Sequence, residues 1–550
     1  MQFSVCLNLL LLSFAVVVIS AVYDYKPLRQ PTMYESECVK QWTKFSTSDR
    51  LVVTLTNSLE AGKNNNTNLH LHGVHVSPVG EADNVIPIVK PGGQRRYTYD
   101  IRADHPAGTF WYHPHAHGNV NSQLNGMMAG TLIIADRPAD FPIELAAMED
   151  IVMILQAICV EDCLNKFDNL QDSIENKYSP FMKGMETTNE EGEEKVWPTD
   201  LEIVEDDADV PLNDTSLPTV FVNGQYLPTV DLVVKEYKRL RFVNAISNNV
   251  AELVTTRDSS CKLTVLAMDG IYFDKPKAKE VIVIPPGGRA DVAIMCAETG
   301  EFYLETDCAS SRNKLLGLLN QHRVPSQRIV KLKAITEDDK SDDSDSSMVA
   351  TRLPPVLPKR PAYMEDTFGS VKHAPVIADR NKYNFEFSVW MDEGMTYGVN
   401  HQKLDMANIN YSMPVNELQQ WELSVKDYRM LAGQMCDLND GSSMERERRL
   451  AMSSHCHTMS HPFHIHATHF QVSDIQDATD PDGILFSVGD WRDTLPLYRG
   501  GVQIRFMPRD YMNSLREIEK MEKKTLARTQ SEVDDDDDES ESDETEEEKR

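Results

Sequence analysis

Thr67-Asn-Leu-His70-Leu-His72-Gly73 is the stretch on which the reading of this chain turns. Trp111-Tyr-His113-Pro-His115-Ala-His117-Gly118 follows it, and His455-Cys456-His457-Thr-Met-Ser-His461-Pro-Phe-His464-Ile-His466 stands near the other end. Thirteen of the sixteen histidines lie within or beside these runs. In an extended strand alternate side chains share a face, so each His-x-His pair can aim two imidazoles at one centre. Neutral imidazole suits copper, and a thiolate beside it favours copper or zinc. Histidines satisfied singly inside a core would not cluster in this way, so the pattern points to a metal centre shared by two distant parts of the chain.

Working outward, the chain consists mostly of short β-branched and aromatic runs separated by Gly, Pro, Asn and Asp. Leu51-Val-Val-Thr-Leu-Thr, Gly130-Thr-Leu-Ile-Ile-Ala, Val281-Ile-Val-Ile and Asp291-Val-Ala-Ile-Met are examples. Many short strands with regular turn signals predict an all-β protein of Greek-key sandwiches. Its 550 residues allow about three domains. The expected units span 23–138, 140–334 with an acidic insertion at 161–218, and 361–511, with a linker at 335–360. Residues 512–550 read as a helix-prone segment and a disordered acidic tail, in which 532–548 hold thirteen acidic residues and no basic one. A formal net charge of −31 with no basic stripe argues against nucleic acid as a partner.

Leu9 to Ile19 is an apolar run interrupted only by Ser13 and followed by the small residues Ser20-Ala21, so residues 1–21 read as a secretory signal peptide, although the usual positive charge ahead of the apolar run is missing. No later run is long and apolar enough to span a membrane. Sequons at Asn65, Asn213 and Asn410 fit a secreted, extracellular glycoprotein. Nine cysteines allow disulfides in that compartment, but spacing does not give their connectivity.

At these residues the chain resembles the three-domain multicopper oxidases, the laccase-like family with plastocyanin-like (cupredoxin) domains. Thr67-Asn-Leu-His70-Leu-His72-Gly73 and Gly108-Thr-Phe-Trp-Tyr-His113-Pro-His115 resemble that family's first two copper motifs, with Gly126-Met-Met-Ala-Gly130-Thr-Leu-Ile-Ile following in order. Phe221-Val-Asn-Gly-Gln, Arg239-Leu-Arg-Phe-Val-Asn, Met268-Asp-Gly270 and Pro286-Gly-Gly-Arg289-Ala-Asp-Val resemble its ligand-free middle domain. His461-Pro-Phe-His464-Ile-His466 is similar to the third copper motif, and Asp490-Trp-Arg-Asp493-Thr-Leu and Gln503-Ile-Arg-Phe-Met-Pro-Arg-Asp come after it.

The resemblance implies up to four copper ions. A type 1 copper would take electrons from a small-molecule reductant or a metal ion, and a three-copper cluster would pass them to dioxygen. It implies type 2 ligands at His70 and His464, type 3 ligands at His72, His113, His115 and His466, and a type 1 ligand at His461. His75, His105, His117 and His469 match no ligand position and read as neighbours of the site or surface residues. The family's fourth motif is missing from its usual place after Pro508-Arg-Asp. Its words appear instead as His455-Cys456-His457, overlapping the third motif at His461. Either this displaced segment supplies Cys456 to the type 1 site and His455 and His457 to the type 3 pair, or it is a surface loop. One residue cannot serve both ends of one site, so Cys456 is expected outside the slot. The type 1 site would then be incomplete, leaving a copper-binding glycoprotein with little or no oxidase activity. The expectation for the fold is three cupredoxin-like sandwiches with the two histidine stretches in contact.

Overall fold

The structure, a computed structural model, describes residues 18–21, 42–47, 49–61, 65–137, 141–158, 219–247, 249–306, 327–339, 349–365, 375–391, 395–403, 411–427, 430–431, 434–435, 461–476, 485–497 and 500–511. Within them the protein is built from β-strands with a few short helices, arranged as successive sandwich units. The acidic insertion, the helix-prone segment and acidic tail, Asn213, Asn410 and the His455-Cys456-His457 segment lie outside the described residues.

The first unit shows why its sequence folds into strands. In Arg50–Thr56 and Gln94–Asp100 alternate residues turn inward, so Leu51, Val53, Leu55, Tyr97 and Tyr99 line one core. Val18–Ala21, Arg50–Thr56 and Gln94–Asp100 form one sheet; Trp42–Phe45, Gly130–Ile134, Gly108–His113 and His70–His72 form the other. Val18–Ala21 is an edge strand, so removal of residues 1–21 as a signal peptide would take it away.

The second unit faces a six-stranded sheet, including Asp150–Ile158, Lys238–Asn244, Cys261–Met268 and Arg289–Cys296, against a five-stranded one. Cys261 and Cys296 are opposite each other in register and form a disulfide. Residues 349–360, within the expected linker, lie against this unit: Ala350 and Leu357 are buried with Leu145, Leu266 and Tyr272. In the third unit, Gln419–Asp427 and Phe470–Gln476 flank Gly500–Phe506, while His461–His464 pairs with Thr494–Leu497.

Each sandwich also contains a parallel pair. Trp42–Phe45 with Gly130–Ile134, Lys238–Asn244 with Asp150–Ile158, and Lys382–Met391 with Gln419–Asp427 are such pairs. The units share apolar cores. Val250, Val254, Val281 and Val283 of the second pack with Phe463, Phe470 and Leu495 of the third. Trp111 and Leu124 of the first pack with Ile154 and Val243 of the second. Among the described residues no helix is long and apolar enough to cross a membrane.

Candidate metal centre

His70 and His72 lie on a three-residue strand that pairs antiparallel with Gly108–His113, setting His70 opposite His113 and His72 opposite Trp111. His464 ends the short strand that pairs with Thr494–Leu497, and His466 sits in the turn beyond it. These strands meet. His70 Nε2 is 3.4 Å from His464 Nε2, and His72 Nδ1 is 3.3 Å from His113 Nε2. His70 stacks on His466 and His72 on His464, with ring centroids 3.8 and 3.6 Å apart. His115 closes the group, 5.2 Å from the His70 ring and 4.8 Å from that of His466. Six of the sequence-predicted ligands therefore converge.

The outer nitrogens fix which face of each ring is protonated. His70 Nδ1 lies 2.7 Å from the Asp83 carboxyl, and with that carboxyl ionised Nδ1 is the N–H side and Nε2 carries the lone pair. His464 Nδ1 donates to the Asp493 carbonyl at 2.8 Å, and His113 Nδ1 to the Pro114 carbonyl at 2.9 Å. His72 Nε2 donates to Thr494 Oγ1 at 3.0 Å, leaving Nδ1 bare. The two close contacts, His70 to His464 and His72 to His113, thus set lone pair against lone pair with no proton between them. A cation held between them reconciles such facing acceptors. Two nitrogens each about 2 Å from one ion lie roughly 3–4 Å apart, and both gaps fall in that range. The residues present fit copper.

Burial keeps the imidazoles neutral and ready to bind. His113 is pushed down to about 3 by burial, with His115 adding to it, and His464 to about 4, chiefly by burial. His70, His72 and His466 are held well below the ordinary histidine value by burial first and then by neighbouring imidazoles. Asp83, behind His70, is raised by burial to about 7.

The framework around the centre comes from all three units. Arg289 of the Pro286-Gly-Gly-Arg289 segment forks onto Asp493, Nη1 to Oδ1 at 2.7 Å and Nη2 to Oδ2 at 2.5 Å. Asp493 Oδ1 lies 3.4 Å from His72 Nε2. Burial alone would raise the Asp493 carboxyl, but the Arg289 guanidinium outweighs it and holds the group well below the carboxylate range. Gly73, at φ +84°, leaves the space this pair needs, because a Cβ there would overlap Arg289 Nη2 and Asp493 Oδ2. Gly287, at φ +81°, lets the middle unit's backbone approach His72, where a Cβ would be 2.9 Å from Cε1.

The remaining predicted residues separate from this group. Strand alternation turns His461 to the face opposite His464, as a separate site requires. His117 is exposed, whereas His75, His105 and His469 are buried. Tyr511 is buried after the last described strand, its hydroxyl bonded to the Ala467 carbonyl beside His466. Sequence reasoning gave no role to Asp83, Asp269, Arg289 or Asp493. The last three stood inside quoted motifs, but only contacts across two hundred or so residues reveal what they hold. Asp83 carried no motif signal.

A sandwich-domain β-protein with a buried cluster of facing imidazoles is suited to binding copper, and the comparisons point the same way. Family models described as multicopper oxidase match residues 20–139 and 440–512. A multicopper oxidase of Staphylococcus aureus is 23% identical over 443 residues, 80% of this chain and 70% of its own. Laccase-1 of Emericella nidulans is 26% identical over 336 residues, 52% of this chain and 54% of its own. A solved Campylobacter jejuni multicopper oxidase, described as a metallo-oxidase, shares the fold with a TM-score of 0.52 at 18% identity, covering 85% of this chain and 79% of that one. The chain carries matches to multicopper oxidase models near both ends and resembles multicopper oxidases over most of its length. It is an oxidoreductase of the laccase-like type, with copper as its cofactor and dioxygen as co-substrate.

Proposed function

We propose that the chain is a secreted glycoprotein whose copper centre oxidises small phenols, aromatic amines or a metal ion at the expense of dioxygen. His70 and His464 hold one copper of the cluster, and His72, His113, His115 and His466 hold the paired coppers. The observation that carries this reading is the pair of facing lone pairs, His70 Nε2 to His464 Nε2 at 3.4 Å and His72 Nδ1 to His113 Nε2 at 3.3 Å. Copper held there would supply one-electron redox chemistry, accepting single electrons from the reductant so that four electrons and four protons from solvent convert dioxygen to two waters. The protein's own part is to present neutral imidazoles, to fix their tautomers through Asp83, Pro114, Asp493 and Thr494, and to keep solvent out by burial.

A second reading is favoured by one sequence fact: no His or Cys follows His469, and the only His-Cys-His run precedes the third motif. On that reading Cys456 does not complete a type 1 site with His461, and the protein binds cluster copper with little or no oxidase activity. Copper stoichiometry and the visible spectrum of purified, copper-loaded protein separate the two, with Cys456→Ser as the decisive variant. An intense thiolate-to-copper band, lost together with phenol oxidation in the variant, supports the full oxidase. Cluster copper without that band supports the binder, and absence of copper rejects both.

A further inference from the structure

Beside the copper ligands stands a second group of buried imidazoles that the family motifs leave unassigned. His75 Nε2 is 2.5 Å from His469 Nδ1, and His75 Nδ1 is 2.6 Å from the Tyr363 hydroxyl. His469 Nε2 lies 2.7 Å from the Asp269 carbonyl and 3.2 Å from Asp493 Oδ2. The His75 backbone N–H donates to His105 Nε2 at 2.8 Å. Outside, the Arg509 guanidinium covers the Tyr363 ring at 4.0 Å and pairs with Asp104 at 2.8 Å.

Elimination gives every bond in this chain one direction. His469 Nε2 faces only oxygens that accept, so it must carry the proton and Nδ1 must accept. His75 Nε2 therefore donates to His469, and its own Nδ1 accepts from the Tyr363 hydroxyl. The result runs one way, from Tyr363 to His75 to His469 to the Asp269 carbonyl, with the Asp493 carboxylate 3.2 Å from the same His469 nitrogen. His75 belongs to the first unit, Tyr363, His469 and Asp493 to the third, and Asp269 to the second. All nitrogens are satisfied, so the group is not another metal site. What it does is bridge the units directly behind both histidine strands and end on Asp269, whose carboxylate in turn accepts from the Asp493 backbone N–H at 3.4 Å, beside the Asp493 carboxylate that faces His72.

We infer that Tyr363, His75 and His469 form a positioning relay that orients Asp493 and registers the first unit's histidine strand against the third's, so that the copper cluster can form. The inference rests on the copper-ligand reading above. A relay of this kind acts through the ligands' partners, and loss of such partners commonly lowers metal affinity about 10–100-fold.

The test uses the full chain as wild type, Tyr363→Phe, His469→Phe and His469→Gln, loaded with copper and titrated against a chelator. Copper affinity, the electron paramagnetic resonance spectrum of the loaded protein and the melting of the copper-free form are recorded. His469→Phe is expected to weaken cluster copper by about 10–100-fold and to change the spectrum. His469→Gln, whose amide offers one acceptor and one donor, should recover most of both, and Tyr363→Phe should fall between. Wild-type copper affinity and spectrum in His469→Phe overturn the relay, as does a Gln variant no better than Phe at equal melting temperature. If His469→Phe does not fold, the Gln and Tyr363→Phe variants decide by the same measures. Unchanged copper spectra with slowed turnover and a larger solvent isotope effect also overturn it, assigning proton delivery instead. A wild type that binds no cluster copper defeats the underlying ligand reading rather than the relay.

Discussion

The Arg289 guanidinium grips both carboxylate oxygens of Asp493, and both side chains are wholly shut off from solvent. Removing the charge from one member of such a pair leaves the other buried without its counter-ion, which costs about 3–5 kcal/mol. Asp493→Asn is therefore expected to lower the stability of the copper-free protein by about that amount, read from urea denaturation. A loss below about 1 kcal/mol would show that Asp269, 3.7 Å from Arg289 Nη1, suffices alone.

Acid should unfold the copper-free protein early, for a reason separate from carboxylate protonation. Burial pushes His105 and His113 down to about 3, while in the unfolded chain histidine binds its proton near pH 6.5. Between those values the unfolded state holds more protons than the folded one. The stabilisation is complete above about pH 6.5 and is lost as pH falls, by up to about 1.4 kcal/mol per pH unit for each group. Denaturant midpoints at pH 7, 5.5 and 4.5 should decline stepwise. His105→Gln should flatten part of that slope, and an unchanged slope in this variant would contradict the assignment.

Gly73 and Gly80 both adopt positive φ, at +84° and +67°, but only Gly73 is hemmed in. Gly80→Ala meets nothing within 4 Å and should cost only the left-handed backbone penalty of roughly 1–2 kcal/mol. Gly73→Ala must in addition displace the Arg289–Asp493 pair. It should be clearly the more destabilising of the two and reduce copper content, whereas equal effects would mean that the pair yields without consequence.

His113→Ala and His464→Ala each remove one partner of a facing lone-pair contact. Both should lower cluster copper affinity and oxygen consumption by at least about 10–100-fold. Metal analysis showing full copper in both variants would reject their ligand roles.

Much of this was legible in the sequence because period-2 alternation and the His-x-His spacing are local properties. Leu51, Val53 and Leu55 face the core as their alternation requires, and His70 and His464 meet as their shared motif order implied. What escaped was the framework. His75 and His469 look like surplus histidines until their strands are brought side by side, and Asp83 carries no motif at all. Pro286-Gly-Gly-Arg289 was recognisable as a pattern, but the chain offers no local sign that Gly287 gives way to His72 or that Arg289 reaches Asp493. Long-range pairing of charges is decided by the packing of units, and packing is not written in any short window.

The knot of Arg289, Asp493 and His72 also sets a timetable. During synthesis, domains tend to fold as they emerge, so the first two units are complete while Asp493 has yet to be made. Until then Arg289 has no partner on that side, and His70 and His72 face a gap that His464 has not yet filled. The ribosome must therefore release the third unit before the metal pocket exists, and copper insertion is bound to be a late, post-translational event.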